Sequence, residues 1–315
     1  MKLTIKDIAK LTGVGKSTVS RVLNNAPNVS EKTKAKVMAV VNEHHFTPSR
    51  SARAMRGVEP RAVGIIVTRL DSPSENRALR GMLSALQCHD CEHFIVESRF
   101  EPHLVQEHLR FFAQRQVDGI IVFAFSGLDE AILLPFKHKL VAMAQSYPAL
   151  SHVVYDDYAA VTQLLAYLYR QQHRHIAYIG VDLTDNTTGR LRFQAYQDFC
   201  QQHQLIPHFA LGKLDYYSGY KNIQTVLSDK TSAIVCASDT LALGVNKYLA
   251  EQGKSAVVVC GIGNNPLLKF LFPNTLSVEF GFYRAGQQAV TQLFALLDGK
   301  NACIQHCISP EFHQQ

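Results

Sequence analysis

Two groups of side chains stand out for the chemistry their types and spacing permit. The first is Lys16, Ser17, Ser20 and Arg21. On a helix these positions share one face, and they are the residue types that read base edges. A guanidinium donates two bonds to guanine, and a hydroxyl reaches either partner of a base pair. The second group is dispersed, and each member follows an apolar run. Arg69, Leu70, Asp71, Ser74, Glu75 and Asn76 come after VGIIVT, Ser126 and Gly127 after FAF, and Gln145 after VAMA. Asp185, Thr187, Thr188, Gly189 and Arg192 come after IAYIGV, Asp239 and Thr240 after IVCAS, Asn264 and Asn265 after VCGIG, and Phe282 and Tyr283 after LSVEF. Hydroxyls, amides, carboxylates and guanidiniums with aromatic edges suit a polyhydroxylated sugar, because each sugar hydroxyl needs a donor and an acceptor. Arg69 and Arg192 also match the geometry of an anion such as phosphate.

Several of these residues have a structural reading as well. Asp71 or Glu75 can pair with Arg69 internally. Asp157 and Asp239 can be helix caps, and Phe282 can be core. Paired carboxylates occur (Asp71 with Glu75, Asp156 with Asp157), yet none assigns an acid, a base and a substrate pose, so an enzyme is not expected.

The first group needs a compact helical frame. Thr4 caps a helix with Asp7 in its first turn, and Ile8, Ala9 and Leu11 give that helix its apolar face. Gly13 permits a tight turn. A second helix runs from Lys16 to about Asn24 with Val19, Val22 and Leu23 inward, so the pair reads as a helix-turn-helix. Ser30 caps a third helix to about His44, whose Lys32, Lys34 and Lys36 meet phosphate or solvent. Pro48 and Ser49 then open a short stretch holding Arg50, Arg53, Arg56 and Met55. It reads as a flexible linker or as a hinge helix that folds on DNA, its arginines near phosphates and Met55 wedged into the minor groove.

The second group needs parallel sheets. Near-continuous apolar runs at 62–68, 93–98, 119–125, 139–144, 152–155, 175–181, 232–238, 256–262 and 276–280 alternate with helical stretches. That predicts strands buried on both faces, too many for one ordinary sheet. The expected architecture is an α/β core of two lobes resembling periplasmic binding proteins, behind a three-helix headpiece and hinge. The headpiece spans 1–57 and the core 58–315. One lobe covers about 61–155 with part of the tail after 282, the other about 156–281. In such folds a ligand sits at the carboxyl ends of the strands.

Charge separates the same two parts. Residues 1–57 carry eleven Lys/Arg against three acids, net +8, while the remainder carries 21 against 23, net −2. A cationic head on a near-neutral body is the electrostatic footprint of a nucleic-acid reader. No run reaches the ~18 apolar residues of a membrane span, and MKLTIKDIAK lacks a secretory apolar segment. A cytoplasmic protein is therefore expected. The seven cysteines are read as buried free thiols, not metal ligands. No cofactor is expected.

LTIKDIAKLTGVGKSTVSRVLN, PSRSARAM, the phrase Gln172–Gly180 and the run Arg192–Tyr196 resemble the lactose-repressor family of transcription regulators throughout the chain. VTRLDSPSEN (67–76), YDD (155–157), TTGRLR (187–192), CASDTLALG (236–244) and GNNPLLKF (263–270) are similar to its trehalose-responsive branch. The resemblance implies a repressor of trehalose uptake and catabolism, a homodimer on a near-palindromic operator, released by trehalose 6-phosphate. It implies DNA contacts from Thr4, Lys16, Ser17, Thr18, Ser20, Arg21, Asn24, Arg50, Ala52 and Arg53, with Met55 as the minor-groove wedge. It implies Arg69 and Glu75 at the phosphoglucose end, and Asp185, Asn186, Thr187, Thr188, Arg192 and Thr240 toward the sugar hydroxyls. Leu70, Asp71, Ser72, Ser74, Ala124, Gln145 and Phe282 complete the implied ligand set. Gln145 and Phe282 depart from that branch, which carries arginine and tyrosine there, and Gly263 departs from the wider family's aspartate. The alternatives are a repressor of the same family answering another sugar or sugar phosphate, or a sugar-binding protein without a regulatory role. The tail lacks sustained leucine heptads, so nothing beyond a dimer is expected.

Overall fold

The computed structural model describes residues 4–23, 29–44, 46, 61–300 and 303–312. The chain folds as two compact units divided between Pro60 and Arg61.

In the first unit, α1 (Ile5–Thr12), α2 (Lys16–Leu23) and α3 (Glu31–Glu43) enclose a small core of Ile8, Ala9, Val19, Val22, Val37, Val41 and Phe46. Thr4 and Asp7 form a reciprocal cap at the start of α1, and Ser30 caps α3. Gly13 ends α1 with φ 64°, a conformation open to glycine at little cost. Leu11 is 53% exposed, which corrects the expected face. At 3.6 residues per turn, Thr12 lies between Ile8 and Ala9 in angle and Leu11 does not. Thr12 is buried, and its hydroxyl donates to the Ile8 carbonyl at 2.7 Å.

The second unit holds two sheets whose paired strands all run parallel. The first comprises β1 (Ala62–Val67), β2 (Glu92–Glu97), β3 (Gly119–Phe123), β4 (Leu140–Met143), β5 (Ser151–Tyr155) and β11 (Gln305–Ile308), in the order β11-β5-β4-β3-β1-β2. The second comprises β6 (Ile176–Val181), β7 (His208–Gly212), β8 (Ala233–Cys236), β9 (Val258–Ile262) and β10 (Leu276–Val278), in the order β10-β9-β8-β6-β7. The helices used below are α4 (Pro73–Cys88), α5 (Pro102–Gln114), α6 (Glu130–Leu133), α7 (Asp157–Arg170), α8 (Arg192–Gln202), α9 (Tyr216–Val226), α10 (Asp239–Glu251), α11 (Pro266–Leu271) and α12 (Phe282–Leu297). Strands β1, β3, β4, β6 and β8 are buried almost throughout, as central parallel strands with both faces covered must be.

β7 and β11 have no counterpart among the apolar runs read from sequence. Both lie at sheet edges, and most of their residues are partly or fully exposed. The chain passes between lobes after Tyr155, again between Val278 and Phe282, and a third time near Pro310. There Glu311 pairs with Glu279, and Phe312 meets the Tyr167 ring of α7. α4 and α12 pack backbone to backbone, because a Cβ on Gly81 would overlap the Tyr283 carbonyl and one on Gly286 the Ala78 carbonyl. The seven cysteines are free, but only Cys200, Cys236 and Cys260 are buried. Cys88, Cys303 and Cys307 are exposed and Cys91 is partly so, which corrects the uniform expectation. Among the described residues, no helix is long and apolar enough to cross a membrane.

Candidate functional site: a recognition helix and a polar cavity

α2 turns Val19 and Val22 inward and leaves Lys16, Ser17 and Arg21 exposed, with Thr18 and Ser20 half-buried beside them. Buried valines at i and i+3 hold the opposite face outward. The Thr4 hydroxyl donates to the Asp7 carboxylate at 2.6 Å, so its observed role is the cap. Asn24, Arg50, Ala52, Arg53 and Met55 lie outside the described residues.

The second unit contains a cavity of about 610 Å³ at the carboxyl ends of both sheets. In each sheet the strand order reverses beside its first strand, at β1/β3 and at β6/β8. The loops there diverge and leave a crevice. Arg69, Ser72, Ser74, Glu75, Ala124, Gln145, Asp185, Thr187, Thr188, Arg192, Thr240 and Phe282 line it. Leu70, Asp71 and Asn186 are not in its wall. Leu70 is 53% exposed, and its N–H donates to Glu97 at 2.8 Å. Asp71 points to solvent, and Asn186 donates its backbone N–H to the Ser126 hydroxyl at 2.7 Å, joining the lobes.

Reading only the residues after apolar runs missed others in the wall: Phe100, Tyr155, Leu214, Arg77 and Arg80. Phe100 follows β2 with φ 60°, just after the apolar run at 93–98, for which no site residue was expected. Leu214 follows the unrecognised β7. Pro73, Asn76, Arg77 and Arg80 share one face of α4 at helical spacing, a periodicity that would have exposed them.

The charged groups divide into tied and untied. Arg192 is buried. Its Nε and Nη2 both meet Asp157 Oδ1 at 2.7 Å, its Nη1 donates to the Ala237 carbonyl, and its guanidinium lies 4.9 Å from the Phe280 ring centre. Burial pushes the Asp157 carboxyl up, and the Arg192 charge opposes that shift. Asp157 is thus an ion-pair partner, and Asp156 is the cap of α7, taking the Ala159 N–H at 2.9 Å. Likewise Ser238 caps α10. Asp239 accepts the Ser277 hydroxyl at 2.7 Å and the Asn265 N–H at 2.5 Å. Burial raises the Asp239 pKa to about 6.

Glu75 accepts the Thr68 N–H at 2.7 Å and the Thr68 hydroxyl, and burial raises its pKa against those bonds. Arg69 is left with Asp71 at 3.6 Å, an 84% exposed partner, and its Nε is closed from solvent without a hydrogen bond. Arg77 on α4 donates to the Gly263 carbonyl on the other lobe, pairs with Glu279 at 2.6 Å, and lies 5.6 Å from the Phe282 ring centre. Arg80 is exposed at the same wall, and Phe282 is nearly buried while still lining the cavity. Gln145 donates to Ser126 at 3.4 Å.

Residues 4–49 match the model of bacterial regulatory proteins of the lacI family, and residues 165–313 match a periplasmic binding protein-like domain. The HTH-type transcriptional regulator TreR of Salmonella typhimurium (strain LT2) is 48% identical over 299 residues, covering 95% of each chain. The chain belongs to the lacI family of bacterial regulatory proteins. As a member it is a DNA-binding transcription regulator and not an enzyme, and its two lobes are the family's fold. A solved trehalose repressor from Escherichia coli superimposes with TM-score 0.79 at 42% identity, covering 80% of this chain and 99% of that one. A lac repressor dimer bound to operator and an anti-inducer superimposes with TM-score 0.84 at 19% identity, over 100% of this chain and 98% of that one, a likeness of fold alone.

Proposed function

We propose that this lacI-family regulator represses genes of trehalose uptake and breakdown in the cytoplasm. It binds a near-palindromic operator as a homodimer and leaves it when trehalose 6-phosphate fills the cavity. The observation that carries the anionic effector is Arg69 in the cavity wall, whose Nε makes no hydrogen bond and has only the exposed Asp71 carboxylate, 3.6 Å away, as an ion partner. A guanidinium with open donors takes a phosphate in forked geometry. Asp185, Thr187, Thr188 and Thr240 on the opposite wall match sugar hydroxyls. The TreR and trehalose repressor likenesses support a trehalose-related effector.

The α2 face, Lys16 with Ser17 and Arg21, reads the operator's bases. Thr18 and Ser20 stand beside it, Asn24 and Ala52 add to the DNA contacts, Arg50 and Arg53 meet phosphates, and Met55 wedges the minor groove. Effector held by both lobes favours one lobe arrangement, and operator affinity falls by its differential affinity for the two states.

Gln145 favours a second reading, a different sugar phosphate, because its amide is engaged with the Ser126 hydroxyl that also holds Asn186 across the lobes. The test is anisotropy on a near-palindromic site selected from random duplexes by the protein. Trehalose 6-phosphate is expected to release that DNA. DNA held only when trehalose 6-phosphate is present would reverse the sign and overturn the reading.

A further inference from the structure

Tyr155 ends β5 at the first passage between lobes, one residue before the Asp156 cap of α7. Its ring packs on Phe280 and Phe282, with centroids 5.4 and 5.2 Å apart, and those rings belong to the second passage. Its side chain lines the cavity, yet its hydroxyl is closed from solvent and has no hydrogen-bond partner among the described residues. Among the described residues, Tyr178 is the second buried phenol without a partner, but it lies in the core of the second sheet and not in the cavity wall, and two further phenols are satisfied. Tyr147 donates to the Leu128 carbonyl at 2.9 Å, and Tyr196 donates to the Ile176 carbonyl at 3.0 Å. Among the described residues, the buried side-chain atoms without partners include only two from the cavity wall, Arg69 Nε and Tyr155 Oη.

We propose that the Tyr155 hydroxyl is a recognition group for the effector, donating to one oxygen of its sugar at the junction of the two lobes. This rests on the reading of the cavity as the effector site. Leaving a buried donor bare is costly, and a ligand oxygen removes that cost. Burial pushes the phenol's pKa up, and the Glu75 and Asp157 carboxylates push it further, so the group keeps its proton and acts as donor. Glu75, Asp157 and the Arg77 guanidinium all act on this phenol, and Glu75 acts on Arg69 as well, so the open donors of Arg69 take the phosphate and leave a hydroxyl, ring or glycosidic oxygen to Tyr155.

The experiment is calorimetry of trehalose 6-phosphate and trehalose on full-length wild type and Tyr155→Phe, with thermal melts of both proteins unliganded. Phenylalanine keeps the ring packing and removes only the bare hydroxyl. Trehalose 6-phosphate affinity is expected to fall roughly two- to thirteen-fold, the weight of one hydrogen bond, while the unliganded melting temperature holds or rises. Equal affinity in both proteins would overturn the role of Tyr155 and leave the cavity reading standing. Weaker binding with a melting temperature several degrees lower would overturn it in favour of a packing role. Wild type that binds neither sugar would remove the cavity reading and this proposal with it.

Discussion

Asp157 and Arg192 show how a cavity wall is fixed by single side chains. The two charges are shut off from water together, and each is tolerable only beside the other. Asp157→Ala leaves Arg192 buried without its counter-ion and is expected to cost about 3–5 kcal/mol in urea unfolding. Asp239 carries a pH signature. Its folded pKa, about 6, stands above the ordinary 3.8, so the folded state holds a proton that the unfolded state has released between those values. Its contribution to stability therefore falls as pH rises through that window. Asp239→Asn should remove that decline, visible as a smaller loss of unfolding free energy from pH 4 to 6 than in wild type. Arg69 is the residue charged with the phosphate. Arg69→Ala should raise the Kd for trehalose 6-phosphate by about ten- to a hundredfold and leave trehalose nearly unaffected, since only charge-assisted bonds are lost. Equal losses for both sugars would move the phosphate elsewhere.

Among the elements, the contact of α4 with α12 matters most, because both helices begin at the cavity and Gly81 and Gly286 let their backbones touch. Gly81→Ala forces its methyl against the Tyr283 carbonyl. It should destabilise by about 1–3 kcal/mol in denaturant titration and weaken sugar binding as Phe282 shifts. The extent to which the sequence revealed these elements follows from their physics. α2 was legible because cap, glycine turn and helical period coincide within 20 residues. The strands around β1, β3, β6 and β8 were legible because burial on both faces demands continuous apolar runs. β7 and β11 were not, since edge strands keep exposed polar positions and lose that signal. Loops after strands gave most of the cavity, whereas Arg77 and Arg80 enter from a helix and Tyr155 from within a strand. Leu11 was misplaced by counting apolar type ahead of angle. Asp157 and Asp239 admitted a cap reading beside a ligand one, and the cap positions belong to their neighbours Asp156 and Ser238.

At the scale of the whole molecule, polar links join the two lobes of the second unit. Ser126 holds the Asn186 N–H, and Arg77 holds the Gly263 carbonyl together with Glu279. Arg77→Leu removes the second link and frees the lobes to part. The expected outcome is a larger radius of gyration in X-ray scattering without ligand, restored by saturating trehalose 6-phosphate. An unchanged radius would leave Arg77 with a purely local role. The +8 charge of residues 1–57 against −2 elsewhere predicts DNA affinity that falls steeply with salt, as released counterions require.

The central claim joins that DNA-reading unit to a cavity selective for a phosphorylated disaccharide. Calorimetry of the purified protein with trehalose 6-phosphate, trehalose and glucose 6-phosphate in parallel tests it most directly. Tight binding of trehalose 6-phosphate, with the other two much weaker, is the predicted result. Trehalose bound as tightly as its phosphate, or none of the three bound, would contradict it.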